Sequence, residues 1–256
     1  MIIIKTPEEI EILREGGKRL ATVLHKVKEK VVPGVSTYEL DQYALKLIRD
    51  MGDEPAFLNY RPEGAKTPYP ASLCVSVNDE VVHGIPSPSR TLKEGDVVAI
   101  DLGLKHNGFF TDMALSVPVG AISPAEAKLL KVTEQALQVG IDAAHGGARV
   151  GDIGYAIEKF VKPHKYGIVE VLSGHGVGRA IHEDPYIPNF GKRGEGAKLV
   201  PGMVIAIEPM LNAGTKNVIL EKDGYTFRTA DGKNSVHFEN TVLITEGEPE
   251  VLTFLP

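Results

Sequence analysis

Two apolar runs in this chain of 256 residues each follow a turn glycine and end in a carboxylate. Gly95–Asp101 reads G-D-V-V-A-I-D, and Gly202–Glu208 reads G-M-V-I-A-I-E. Asp112 and Glu239 also stand beside apolar strand residues, Ala114-Leu115 and Val242-Leu243. Val82-His83 with Pro86 lines up with Ile181-His182 and Pro185. A carboxylate at a strand end can be a simple polar cap, but its recurrence in register argues for a task. Asp and Glu are seldom buried unless paired or bound to metal, and four converging acids raise one another's pKa. Divalent cations are the simplest compensation. His175, in the glycine-flanked stretch Ser173–Arg179, supplies a nitrogen ligand where the backbone can approach closely. Such a hard, oxygen-rich set favours Mn, Fe or Co and admits Zn, unlike the cysteine-rich sets of structural zinc sites. His237 lies two residues before Glu239, on the same strand face, where it can support the ligands.

The elements that must position these groups also recur. Apolar spacing predicts a helix over 7–31 and a second from an N-cap at Thr37 to about Met51. The proline-rich stretch 55–72 predicts a loop, followed by strands at Cys74–Val77, Asp96–Leu102 and Ala114–Val117. Ser123-Pro124 then caps a helix through about Ala144, Asp152 opens another to about Val161, and strands follow again. The repeat predicts one α+β domain over residues 1–256 with two pseudo-symmetric halves dividing near residue 122. The halves would share a mostly antiparallel sheet covered by helix pairs on one side. His25, His106, His145 and His164 lack such context and are expected at the surface.

The formal net charge of −6 and the scattered Lys and Arg argue against a nucleic-acid binder. The single cysteine, Cys74, excludes an internal disulfide and fits a reducing cytosol. No apolar run approaches the length of a membrane span, and Lys5, Glu8 and Glu9 interrupt the start of a would-be signal peptide. A cytoplasmic protein is expected.

The residues Val82–Pro86, Ile100-Asp101 with Asp112, Gly174–Arg179, Ile181–Glu183, Ile207–Met210 and Phe238–Thr241 carry a resemblance to the type I, bacterial-type methionine aminopeptidases, which have the pita-bread or creatinase-like fold. The resemblance runs over essentially the whole chain. It implies removal of N-terminal methionine from newly made proteins by a metal-activated hydroxide, with a small second residue preferred. It also implies two divalent ions (Co, Mn, Fe or Zn). Asp101 would hold one, His175 and Glu208 the other, with Asp112 and Glu239 bridging and Glu208 acting as base. His182 would polarise the scissile carbonyl and His83 would bond the scissile amide nitrogen. Cys74, Tyr69 and Tyr225 would line the methionine pocket. The expected partners are N-termini of nascent chains, with transient ribosome association, in a monomer. Met1 should be retained, because Ile2 is β-branched.

The runner-up is an X-Pro aminopeptidase or prolidase, which shares the ligands. Those relatives carry a large N-terminal domain, for which the segment before the repeat leaves no room. Type II methionine aminopeptidases insert a subdomain between the last histidine and the Glu-Pro-Met strand, and His182 to Glu208 is too short for it. A non-catalytic binding protein of the same fold would have lost ligands, whereas the whole set is present.

Overall fold

The computed structural model describes residues 2–255. Met1, on which the expectation of a retained methionine bears, lies outside the described residues.

Helix α1 (Pro7–Lys28) starts behind Thr6, whose hydroxyl accepts the Glu9 N–H while the Glu9 carboxylate accepts the Thr6 N–H. It ends three residues short of the expected boundary. The second helix, α2 (Thr37–Asp50), is capped by Ser36 rather than Thr37. Glu39 stands three residues after Ser36 and completes the reciprocal pair, while the Thr37 hydroxyl is engaged with the Ser87 backbone. Short strands β1 (Glu54–Pro55), β2 (Cys74–Val77) and β3 (Glu80–Val82) precede a long hairpin of β4 (Val97–His106) and β5 (Phe109–Pro118). Residue 122 falls between that hairpin and α3 (Pro124–Asp142), which Ser123 caps as expected. α4 (Val150–Val161) begins two residues before Asp152, which turns back to accept the Arg149 N–H from the helix's third position.

The second half continues with β6 (Gly167–Ile168), β7 (Gly174–Gly176), β8 (Glu183–Ile187), β9 (Val204–Ile207) and β10 (Met210–Asn212). Then follow β11 (Val218–Leu220), β12 (Phe227–Thr229), β13 (Ser235–His237), β14 (Glu239–Leu243) and β15 (Glu250–Val251). The main sheet runs β1-β4-β5-β14-β9-β7-β8, with β2 also along β4 and β15 along β14. All its pairings are antiparallel. About the β5/β14 contact, β2-β4-β5 is answered by β7-β9-β14, so the two halves are pseudo-symmetric. Smaller sheets, β13-β10-β6 and β11-β12-β3, flank it.

Alternation along the strands decides what each face carries. Val98, Ile100, Leu102, Leu104, Leu115 and Val117 pack with buried residues of α1 and α2. Ile205, Ile207 and Val242 pack with those of α3 and α4. The helices of both halves therefore cover the same face of the sheet, and the opposite face is left for the carboxylates. No helix among the described residues is long and apolar enough to cross a membrane.

The segment before α1 is tied into the second half. The Lys5 N–H donates to the Gly202 carbonyl at 2.9 Å. The Lys5 ammonium meets the Glu183 carboxylate at 2.6 Å, with both side chains almost fully buried. The other Glu183 oxygen accepts the N–H groups of Arg179 and Ala180. Replacing Lys5 by Met should therefore cost about 3 kcal/mol of stability, because it strands a buried carboxylate. A urea midpoint equal to wild type would show the pair to be energetically neutral.

One expected surface residue is not at the surface. His106 is buried, its Nδ1 2.7 Å from Asp53. The pairing closes the tip of the β4–β5 hairpin against the turn after α2, a contact between distant segments that local pattern does not register. His145 is exposed, and His25 and His164 are half-buried.

Candidate active site and metal centre

Two transverse rows on the uncovered face of the sheet build the site. In the first, register places Cys74 opposite Asp101, Asp101 opposite Ala114, and Ala114 opposite Glu239. Glu208 directly follows β9, whose last residue, Ile207, pairs with Asn240. Two residues along, Asp112 lies opposite Gly103, and Thr241 and His175 both lie opposite Ala206. The Thr241 hydroxyl locks this second row by accepting the Asp112 N–H at 2.8 Å and donating to the Asp112 carbonyl at 2.7 Å. A two-residue offset keeps both rows on one face, so five candidate ligands from distant parts of the chain converge.

The glycines around His175 are required by close approach. A Cβ at Gly174 would sit 2.3 Å from the Ala206 carbonyl oxygen, and one at Gly176 would sit 2.2 Å from that of Asp184. His175 itself directs Nδ1 to the Gly176 carbonyl at 2.9 Å, leaving Nε2 to face the acids. That Nε2 lies 3.5 Å from Glu208 Oε1 and 4.0 Å from Asp112 Oδ2. His83, immediately after β3, adopts a left-handed backbone with φ 59°, the kind of strain that collects at functional positions.

All ten residues singled out from the sequence line one cavity of about 140 Å³: Tyr69, Cys74, His83, Asp101, Asp112, His175, His182, Glu208, Tyr225 and Glu239. Cys74, Tyr69 and Tyr225 belong to an apolar cluster with Phe57 and Ile181. Tyr69 and Tyr225 meet edge to face at 5.2 Å. Burial and the neighbouring Asp101 push the Cys74 thiol up, so it serves as an apolar wall rather than a nucleophile.

Sequence reasoning did not assign Phe57, Tyr60 and Pro62, which line the same cavity. The Tyr60 hydroxyl lies 2.8 Å from His182 Nδ1. These residues come from the irregular, proline-rich segment, where no periodicity marks which side chains face inward. His237, seen as a possible support, is also in the lining.

The electrostatics follow from burial. It lowers the His175 pKa to about 3, with His182 adding to the effect, and the His83 pKa to about 4, with His182 and His237 adding. Both are neutral imidazoles at pH 7, as a metal-ligating histidine must be. Burial raises Asp101 to about 7, with His237 opposing and Glu208 reinforcing. Burial and the other acids push Asp112 and Glu239 well up, and burial raises Glu208. Asp101 Oδ1 and Glu239 Oε1 are buried without a hydrogen-bond partner. Ligand atoms of Asp112, His175 and Glu239 lie within 4.8 Å of one another. Orphaned oxygens, a neutral imidazole and mutually repelling carboxylates fit a bound divalent cation.

Known proteins match over nearly the whole chain. The chain is 46% identical to methionine aminopeptidase 1 of Bacillus subtilis over 253 residues, covering 99% of each. It is similar to the crystal structure of methionine aminopeptidase from Thermotoga maritima, with a TM-score of 0.94, 40% identity and 99% of each chain covered. Against the prolidase of Pyrococcus furiosus the TM-score is 0.80 at 26% identity, and only 66% of that chain is covered. The pita-bread fold is thus common to both kinds of relative, while sequence identity and full-length coverage favour the methionine aminopeptidases. The profile of metallopeptidase family M24 spans residues 11–246, and with full-length relatives at this identity the chain belongs to that family.

Proposed function

We propose that this protein removes methionine from the N-termini of newly made polypeptides, preferring a small second residue. In this reading Asp101, Asp112, His175, Glu208 and Glu239 hold two divalent ions. The observation that carries the proposal is where Glu208 and His175 stand. Glu208 and His175 line both the small cavity and an outer groove of about 590 Å³. The inner cavity has room for a single side chain against Cys74, Tyr69 and Tyr225, and the groove has room for the chain that follows. A bond at their junction joins a terminal residue to the rest of a polypeptide, as an exopeptidase requires. A polarisable thiol and aromatic edges suit a thioether side chain.

When bound, the ions would polarise the scissile carbonyl and acidify the attacking water. The protein's own groups manage protons and orientation. Glu208, at the junction, accepts a proton from the attacking water and passes it to the departing amine. The Tyr60 hydroxyl, 2.8 Å from His182 Nδ1, is read as the donor of that bond, an arrangement that puts the imidazole proton on Nε2. Burial lowers the His182 pKa, and the neutral ring donates that proton as a hydrogen bond to the carbonyl oxygen as charge develops. His83, held in its strained turn, bonds the scissile nitrogen.

His182→Ala should lower turnover by about 10²-fold without removing metal, since an oxyanion donor is lost and no ligand is. Mass-spectrometric metal analysis after dialysis separates the two effects. Loss of a stoichiometric ion from this variant would make His182 a ligand. The function itself is tested with metal-stripped protein reloaded with Mn, Fe, Co or Zn in turn and offered Met-Ala-Ser, Leu-Ala-Ser and Ala-Pro-Ser. Met-Ala-Ser should be cleaved fastest; preference for Ala-Pro-Ser would favour the X-Pro aminopeptidase reading instead.

A further inference from the structure

Both ring nitrogens of His237 are buried without a hydrogen-bond partner, although its side chain is only 2% exposed. Its backbone, in contrast, is firmly held. The Ser116 hydroxyl accepts the His237 N–H at 3.1 Å and donates to the His237 carbonyl at 2.8 Å. Met210 of β10 faces His237 in the ladder. An imidazole fixed this way and aimed into the cavity has a partner to meet.

The geometry identifies that partner. His237 Nε2 lies 3.5 Å from Glu208 Oε2 and 3.9 Å from Glu239 Oε2. The other Glu208 oxygen, Oε1, lies 3.5 Å from His175 Nε2. Glu208 is therefore flanked by two imidazoles, one at each oxygen. The two tautomers of His237 are not equivalent here. A proton on Nδ1 would be a buried donor without an acceptor, and it would turn the Nε2 lone pair towards two carboxylates. A proton on Nε2 satisfies the donor and attracts both acids. A nitrogen that carries a proton cannot ligate a metal.

We propose that His237 is a positioning residue whose Nε2–H engages Glu208 Oε2, so that Oε1 is presented beside His175 to the cation. The proposal rests on the reading of Glu208 as a metal ligand. Groups that hydrogen-bond a ligating carboxylate typically contribute 10–100-fold to metal affinity or activity. The closing of the 3.5 Å approach would accompany the gathering of the carboxylates around a cation.

The test is calorimetric titration of metal-stripped wild type, His237→Leu and His237→Gln with Mn²⁺. His237→Leu should keep the wild-type stoichiometry and lose about 10–100-fold in affinity. His237→Gln, which restores an N–H donor, should recover most of that loss. Metal-stripped His237→Leu should melt no lower than stripped wild type, because its orphaned nitrogens are gone; a merely structural role would lower that melt. The proposal is overturned by unchanged affinity in His237→Leu, or by loss of a whole equivalent that His237→Gln does not restore. The wild-type protein gives a second readout, through ¹⁵N histidine NMR of the zinc-loaded form. A proton on His237 Nε2 is expected, and a proton on Nδ1 overturns the proposal even if the leucine variant fails to fold. Wild type that binds no divalent ion would overturn the metal reading along with it, whereas equal binding by wild type and His237→Leu overturns this proposal alone.

Discussion

Glu208→Gln lowers turnover by about 10²–10⁴-fold while the chain still folds. The substitution preserves volume and one carbonyl oxygen, so the packing at the end of β9 is undisturbed. Asn189, fully buried, donates to the Glu208 backbone carbonyl at 3.0 Å and holds the residue whichever side chain it bears. What disappears is the negative charge beside His175 and the only proposed base at the junction of cavity and groove. An amide cannot take a proton from water near neutral pH, so the loss falls on turnover. Steady-state kinetics on Met-Ala-Ser, beside circular dichroism and thermal melts, decide the matter. Activity within tenfold of wild type would take Glu208 out of the mechanism.

Metal-stripped protein loses stability as pH rises above about 6.5, and Mn²⁺ reverses the trend. The sign follows from the direction of each shift. Asp112 and Glu239 have folded pKa values well above their ordinary 3.8 and 4.5. The folded chain therefore retains protons that the unfolded chain has already lost. Their favourable contribution is complete below the ordinary carboxylate range and is lost as pH climbs towards the folded values. His175 and His83 act oppositely, with folded values of about 3 and 4 against 6.5. Their contribution grows only up to about pH 6.5, so above it the trend is set by the carboxylates, joined near pH 8.5 by the Cys74 thiol, which burial shifts in the same direction. Each carboxylate still protonated in the fold accounts for about 1.4 kcal/mol per pH unit. A bound cation favours the ionised forms, binds more tightly as pH rises and so stabilises the fold over the same range. Denaturant titrations at pH 6.5 and 8.5, with and without Mn²⁺, measure the effect. Equal stability of the stripped protein at both pH values would show that the acids are not strained.

The acids were legible in the sequence because each stands in or beside an apolar run, and strand period alone sets which face it occupies. Glu208 and Glu239 do stand at strand ends, whereas β4 and β5 run on past the expected ends and hold Asp101 and Asp112 in their middles. Asp101 and Glu208 could be paired before any fold was known, and the sheet places them on the same face. Helix ends were legible wherever a cap and its reciprocal glutamate fell three residues apart. At Ser36-Thr37 two adjacent hydroxyls competed, and only the position of Glu39 separates them. Contacts between distant irregular segments left no local trace. Tyr60 meets His182 across 122 residues of chain, and Lys5 meets Glu183 across 178. No periodicity connects such pairs, and the buried ion pair looks in sequence like two ordinary surface charges. His106 was misplaced for the same reason, since its partner Asp53 is joined to it only by the fold.

The pseudo-dyad between β5 and β14 bears on how such a molecule can arise. A sheet whose order reads the same outward from its centre is what two copies of one half-length chain make by pairing edge strands in a two-fold, self-complementary contact. A strict dimer of that kind would carry the same carboxylates twice and offer two equivalent mouths. In this chain the second half differs where it matters. The second half carries glutamates where the first carries aspartates, and its glycine-rich β7, which lies along β9 as β2 lies along β4, brings in His175. Divergence of the halves turns a symmetric cleft into a directional one, with an apolar end built around Phe57, Tyr69 and Cys74 of the first half and completed by Tyr225 and Ile181, and with His175 and His182 brought by the second half. Joining them in one polypeptide is what allows a polypeptide substrate to be read from its terminus inward.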